Sequence, residues 1–511
     1  MSYADNKRIA KNTIYLYIRT FVSMIVALYT SRKILETLGV DDFGIFNVVG
    51  GIISLMSFIN GSMSVATQRY LTYELGRGTE GQFNKVFNMA VYIHAIIAVI
   101  VLIAAETVGV WFVNTQLNIP EVRMEAANWV FQATILTTIL GILQTPYNAA
   151  IISHEHMHVY AYVGLGETFA KLFIVWGLFY YPYDRLAIWG FAIFLLQFLI
   201  AMTYRMYCSR QFPECRLHLR WNKAIFNSMV QFTGWNMFGT IAWLLKDQGV
   251  NILMNLFGGP VANAARGVSC QVSGAIQNLT GGFQSAVNPQ LTKRYAAHES
   301  EETCDLMCKS SKISYFLLFT IALPVMMETD FILDLWLVEV PPMTASFTRI
   351  IIIEALLNAF GGPMITSLMA TGNIKWYQIV VSSSLLFIIP VAYLLLKSGY
   401  SIETPLIVSV IFIMIGNIVR LMFCKKQLGL AFRQYTWNVV FPIAGVSALA
   451  IIFPLGIHVY MTEGWSRLLI TIFVSCTAMG ILTYTIGLTA SERTFIISYV
   501  TPKAKKFFHI D

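Results

Sequence analysis

The sequence predicts an all-α, polytopic membrane protein of about fourteen transmembrane helices, and three observations carry that prediction. Of 511 residues, 56% are hydrophobic and only 12% charged, about half the charged share of an average soluble domain. Mean hydropathy is +0.63. Apolar runs long enough to cross a ~30 Å hydrocarbon core recur from end to end, with no Pro/Ser-rich linker between them. A length that would suggest several soluble domains therefore reads as one membrane domain.

Apolar stretches between charged or turn-rich breaks give spans at 12–35, 43–68, 87–111, 127–149, 160–181, 186–207 and 226–256. Further spans follow at 261–288, 312–336, 347–370, 376–396, 404–424, 437–461 and 466–488. Several exceed the bilayer thickness and are expected to tilt or project. Met1 to Asn12 is polar and runs straight into the first span, which is expected to act as its own insertion signal.

The Lys/Arg asymmetry sets the orientation. With the N-terminus inside, 24 of the 35 basic residues fall on inside segments, among them Lys85, Arg216, Lys375, Lys425, Lys426 and Lys505. The outside segments hold only Arg32, Lys33, Arg123, Arg185, Lys397 and Arg467. This bias places both termini in the cytoplasm. The net charge of +8 is then mostly a topology signal that asks for no nucleic-acid partner, while the basic face suits anionic membrane lipid. The seven cysteines avoid outside loops, so disulfides are not expected. Cys304 and Cys308 near His298 make only a partial metal set.

Two halves are legible. Leu38–Gly39 opens a long helix closing in Gln68–Arg69–Tyr70–Leu71, and Phe257–Gly258 opens another closing in Lys293–Arg294–Tyr295–Ala296. Gln144–Thr145–Pro146–Tyr147 is followed by Tyr160 as Gly361–Gly362–Pro363–Met364 is by Tyr377. Both comparisons give an offset near 220 residues, or about six helices, which implies parallel repeats about an axis along the membrane normal. The expected division is a lobe at 1–220, a second at 221–430, and two additional helices with a basic tail at 431–511.

Polar residues form stripes inside the spans. Asn263, Arg266, Cys270, Ser273, Gln277, Thr280 and Gln284 share one helical face, being spaced alternately three and four apart. Asn47, Gly50, Ser54, Ser57, Gly61, Ser64 and Gln68 repeat the pattern, Asn12, Tyr15, Arg19, Ser23 and Thr30 form a third face, and Asn236, Thr240, Asp247, Asn251 and Asn255 a fourth. Small and polar residues glue membrane helices together, which competes with a functional reading. Ionisable groups at depth are costlier, about 2.5–3.5 kcal/mol each, and normally face a wet cavity or a partner.

The buried ionisable set comprises Arg19, Lys171, Lys246, Arg266 and Arg349 against Glu167, Asp247 and Glu354. Glu167 and Lys171, four apart, can neutralise each other, and Arg349 can snorkel. Arg19 and Arg266 have no acid within one helical turn. A guanidinium stays charged when desolvated and binds phosphate bidentately, so these two lead the substrate-binding candidates, with Lys246, Lys171 and Gln277 beside them. Asp247, Glu354 and Glu167 are candidate ligands for a coupling proton or sodium ion. No other cofactor is expected. Pro146 and Pro363, at matching places, are candidate hinges.

His154-Glu155-His156-Met157-His158 could offer alternating imidazoles to zinc if extended, against the plainer reading of a polar turn. No GxSxG, Walker loop or acidic glycosyltransferase cluster occurs, and the outside loops leave little room for a catalytic domain.

The stretch Leu38-Gly39-Val40-Asp41-Asp42-Phe43-Gly44-Ile45-Phe46, the closing Ala66-Thr67-Gln68-Arg69-Tyr70-Leu71 and the turn Ala370-Thr371-Gly372-Asn373 resemble the Wzx-type polysaccharide flippase family. That family lies within the superfamily of multidrug, oligosaccharidyl-lipid and polysaccharide exporters, and the resemblance runs end to end. It implies a V-shaped bundle around a central cavity. It further implies turnover of an undecaprenyl-diphosphate-linked oligosaccharide across the bacterial inner membrane for lipopolysaccharide or capsule, by alternating access, beside polysaccharide-assembly proteins. Arg19 and Arg266 match in kind the cavity arginines of relatives, whereas Asn47, neutral, breaks the mirror of Arg266. The rival readings are a cation-coupled multidrug exporter of the same superfamily, a peptidoglycan-precursor flippase, and a membrane glycan polymerase or ligase.

Overall fold

The computed structural model describes residues 3–494 apart from 57, 116, 118, 182, 183, 219, 220, 338, 339 and 491. The basic tail with Lys503, Lys505 and Lys506, and the side chains of Asn47, Ser54 and Ser57, lie outside the described residues. The described chain is helical throughout, without strands.

Helix α1 (Tyr3–Met56) bends at Gly39 and is followed by α2 (Phe58–Gly76). Next, α3 (Phe83–Ala104) continues through a π turn into α4 (Val110–Thr115). Then come α5 (Glu121–Ser153), which contains Pro146, α6 (Met157–Phe179) and α7 (Arg185–Gln211). Asp184 caps α7, accepting from the Leu186 and Ala187 amides at 3.0 and 3.2 Å, the usual service of an Asp at this position.

The longest helix, α8 (Lys223–Ala296), bends at Gly259. After it lie α9 (Ser300–Met327), α10 (Thr329–Trp336), α11 (Thr344–Thr371), α12 (Lys375–Leu386), α13 (Ile388–Lys397) and α14 (Thr404–Leu428). A short α15 (Phe432–Tyr435) leads through a π turn to α16 (Phe441–Tyr460), and α17 (Trp465–Leu482) completes the set.

Among the described residues, ten helical segments are long and apolar enough to cross a membrane, and they coincide with the third to sixth and ninth to fourteenth predicted spans. The four other predicted spans, 12–35, 43–68, 226–256 and 261–288, fall on the two bent, more polar rods α1–α2 and α8. The bends at Gly39 (φ 81°) and Gly259 (φ 67°) lie 220 residues apart, the offset read from the sequence. The bending residue of the second half is Gly259, one position beyond the Gly258 that sequence alignment of the halves picked out.

Two boundaries differ from the hydropathy reading. The span at 312–336 is two helices, because α9 ends at Met327 and Glu328 breaks the rod; the apolar Phe331–Trp336 run beyond it hides the break. The span at 376–396 is interrupted at Phe387, where Pro390 lacks the N–H that would bond the Leu386 carbonyl.

The chain forms two compact units, one of residues 12–237 and one running from Phe238 onward together with residues 1–11. The first has a core of Ile45, Val49, Val130, Phe131, Ile135 and Leu186, from α1, α5 and α7. In the second, Phe316 and Phe319 of α9 pack with Leu356 of α11, Val446 of α16 and Met479 of α17. A second cluster joins Val250 and Met254 of α8 to Phe347 of α11 and Leu406 of α14.

Candidate functional site

In the first unit the polar stripe of α1 lies along α6. Asn12 donates to the Glu155 carbonyl at 3.1 Å, Tyr15 meets Tyr162 edge-on, and the Ser23 hydroxyl lies 3.0 Å from that of Thr168. Most of the stripe is therefore a seam between helices, the bland reading. Arg19 stands apart. Its guanidinium lies 4.4 Å over the ring of Tyr160, no described carboxylate pairs with it, and its buried Nε has no hydrogen-bond partner. Gly164 makes the room, since a Cβ there would collide with the guanidinium. A cation over an aromatic face gains roughly 0.5–2 kcal/mol, less than a second charge would supply.

Glu167 and Lys171 bond to each other at 2.6 Å on α6, both partly exposed. Pro146 sits in α5 beside buried Gln144, which accepts from Gln197 at 2.9 Å.

In the second unit four ionisable side chains form two pairs. Arg266, seven residues past the Gly259 bend, reaches back to Asp247 at 2.5 Å. Lys246 reaches Glu354 of α11 at 2.7 Å. Adjacent positions of a helix point about 100° apart, so Lys246 and Asp247 serve different neighbours: one turns to α11, the other to the second limb of the same rod. Lys246, Arg266 and Glu354 keep at most 15% of their side-chain surface exposed, while Asp247 keeps 30%. This corrects the reading of Arg266 as an uncompensated cation. Its acid lies nineteen residues away, beyond any single-turn search, and comes within reach only because the rod bends.

Further along the stripe, exposed Gln277 donates to Ser273 at 3.0 Å. Gln284 donates to the carbonyl of Ala359 at 3.4 Å. Arg349 pairs with Asp330 at 2.6 Å and donates to the Met326 carbonyl at 3.1 Å, so it is held by partners as well as lying near a helix end.

Two buried ion pairs and one buried arginine lie outside the candidate set read from the sequence. Glu328 is buried and accepts from Arg467 of α17 at 2.8–3.1 Å and from Thr471 at 2.9 Å. Arg467, counted by sequence with the outside segments, lies in the first turn of α17. Lys312 is buried and pairs with Glu492 at 2.9 Å. Arg420, also buried, donates to Asn417 at 2.7 Å, and its Nε has no partner. Its signal was the Asn at three residues' spacing on the same helix.

The histidines at 154–158 do not form an extended strand. Glu155 is left-handed (φ 63°) and α6 starts at Met157. His154 stacks on Phe212 at 3.9 Å and faces Glu214 at 3.6 Å, and His156 bonds the Tyr207 hydroxyl at 2.7 Å.

No protein-family model matches the sequence, and no curated protein is similar to it. Solved structures are similar in fold. A MATE transporter in the bent conformation superposes with a TM-score of 0.71 at 12% identity, over 83% of this chain and 96% of the other. The outward-facing form of a multidrug resistance MATE family transporter of the MOP superfamily gives 0.69 at 12%, over 82% and 96%. A mutant of the Vibrio cholerae MATE transporter VcmN gives 0.70 at 14%, over 83% and 97%. The chain is thus a multi-pass helical membrane protein with the fold of these transporters.

Proposed function

We propose that the chain is an ion-coupled exporter of the MOP superfamily, working by alternating access on an amphipathic substrate. One observation carries the reading: within a MATE-like fold, two carboxylates, Asp247 and Glu354, each hold a cation on a neighbouring helical segment. A proton or sodium ion taken up by either carboxylate competes with its Arg or Lys, so ion binding and helix packing become one equilibrium. One of the structures of like fold is described as a multidrug resistance MATE family transporter, which favours a cation-coupled multidrug exporter over the flippase reading. The test is gradient-driven efflux of a cationic dye from proteoliposomes, lost in Glu354→Gln and Asp247→Asn.

A second reading, translocation of undecaprenyl-diphosphate-linked oligosaccharide across the bacterial inner membrane with both termini cytoplasmic, is favoured by Arg19. A guanidinium without a carboxylate, stacked on Tyr160, is suited to a phosphate. In cells lacking the protein, drug sensitivity with normal surface glycan supports the exporter; accumulated lipid-linked glycan supports the flippase. Unchanged glycan transport by Arg19→Ala in vesicles would remove Arg19 from the mechanism.

A further inference from the structure

A cavity of about 430 Å³ opens in the second unit where the ends of α8 and α14 meet the turn between α11 and α12. This end carries Lys375, Lys425 and Lys426, the side that the basic-residue bias assigns to the cytoplasm. Tyr295, Trp376 and Phe423 form its aromatic wall, and the Trp376 indole is 62% exposed. Tryptophan and tyrosine half in and half out of a helical bundle mark the headgroup level of a bilayer.

The polar floor is locked. The Thr371 hydroxyl is shared between the Leu368 carbonyl at 2.7 Å and the Gln427 side-chain oxygen at 2.8 Å, Gln427 donates to the Asn373 carbonyl at 3.0 Å, and the Asn373 amide N–H donates back to Thr371 at 3.2 Å. These bonds tie Thr371, Asn373 and Gln427 to one another. The charged group that lines the cavity is the Lys426 ammonium, the Asn373 side-chain amide lies beside it, and no carboxylate lines it. A cationic, acid-free recess with aromatic walls suits a ligand that is anionic, rich in acceptors and attached to an apolar body.

We propose that this cavity binds a phosphate ester, as the headgroup of an anionic membrane lipid or as a soluble ester of the same chemistry. Lys426 supplies the charge, the Thr371–Gln427–Asn373 bonds hold the floor in shape before the ligand arrives, and Trp376 packs against the glycerol backbone.

The full-length protein, purified in detergent, is offered equimolar phosphatidylglycerol and phosphatidylcholine, and bound lipid is counted by native mass spectrometry. Phosphatidylglycerol should be retained preferentially. Lys426→Ala should reduce that preference about fivefold, the factor one interfacial lysine contributes, Lys426→Arg should restore it, and Lys397→Ala should leave it unchanged. Lys426→Arg and the unfolding temperature separate loss of the site from loss of the fold. Fluorescence that changes in the wild type and not in Trp376→Phe locates the ligand; the same change with glycerol 1-phosphate alone identifies a soluble ester as the source, and its restriction to phosphatidylglycerol identifies lipid. Equal retention of the two lipids with no response to glycerol 1-phosphate, or a preference that survives Lys426→Ala, would overturn the proposal.

Discussion

Gln284 donates its side-chain amide to the carbonyl of Ala359, the carbonyl whose helical partner Pro363 removes. A Cβ on Gly362 would come within 2.7 Å of that amide nitrogen, so the glycine admits the contact. Asn417 of α14 lies against Gly361 and donates to the Leu357 carbonyl at 3.0 Å. Two helices thus serve the backbone of α11 through its Gly361–Gly362–Pro363 turn.

Gln284→Leu should leave the Ala359 carbonyl without a partner and cost about 1–3 kcal/mol. In a Pro363→Ala background the restored N–H takes that carbonyl, and the same substitution should cost little. Thermal unfolding of the four proteins of the cycle measures this coupling; equal losses in both backgrounds would dissociate Gln284 from the proline.

Lys246 and Glu354 are both largely buried, so removing one partner strands the other. Lys246→Ala should destabilise by about 3–5 kcal/mol, and the double substitution Lys246→Ala/Glu354→Gln by much less. Chemical unfolding in detergent micelles distinguishes this from additive losses, which would mean that the pair is not coupled.

Arg123 clasps two acids of the first unit, Asp42 at 2.5 Å and Asp184 at 2.7 Å. Burial works to raise the Asp184 carboxyl, and the Arg123 bond with the Ala187 and Leu186 amides outweighs it, leaving the group below its ordinary value of 3.8. A depressed carboxylate stabilises the fold above its unfolded pKa and loses that contribution as pH falls through the folded one. Unfolding temperature should therefore decline below about pH 4, less steeply in Asp184→Asn. Because Asp184 is partly exposed, added salt should shrink the difference. An identical acid limb in the variant would remove Asp184 from it.

Gly39 has open space around its α-carbon, so only its positive φ resists a side chain. Gly39→Ala should cost about 1–2 kcal/mol, and so should Gly259→Ala, which has the same open surroundings. A neutral unfolding temperature in both variants would show that the bends tolerate other conformations.

Hydropathy and Lys/Arg bias made the helical membrane fold legible, because burial in lipid demands long apolar runs whatever packs against them. The 220-residue echo was legible for the same kind of reason: a bend with positive φ needs glycine, and the glycines at 39 and 258 marked the two bends, the second to within one residue. Pairing within one turn was legible in Glu167 and Lys171, and pairing at longer range was not. Asp247 meets Arg266 only across the bend, Glu354 meets Lys246 across 108 residues, and Glu328 meets Arg467 across 139. Helical spacing reports neighbours one turn away and says nothing of neighbours brought by tertiary packing. Arg467, near a span end, counts as a topology charge by sequence, because positive charge there is the ordinary signal, and only burial separates the exception from the rule.

The most direct test of ion-coupled export is ethidium efflux from proteoliposomes under an imposed proton or sodium gradient. The wild type should transport only with the gradient, and Glu354→Gln and Asp247→Asn should each abolish the dependence. Efflux indifferent to both gradients, or unaltered in both variants, would contradict the assignment of these carboxylates and of the activity itself.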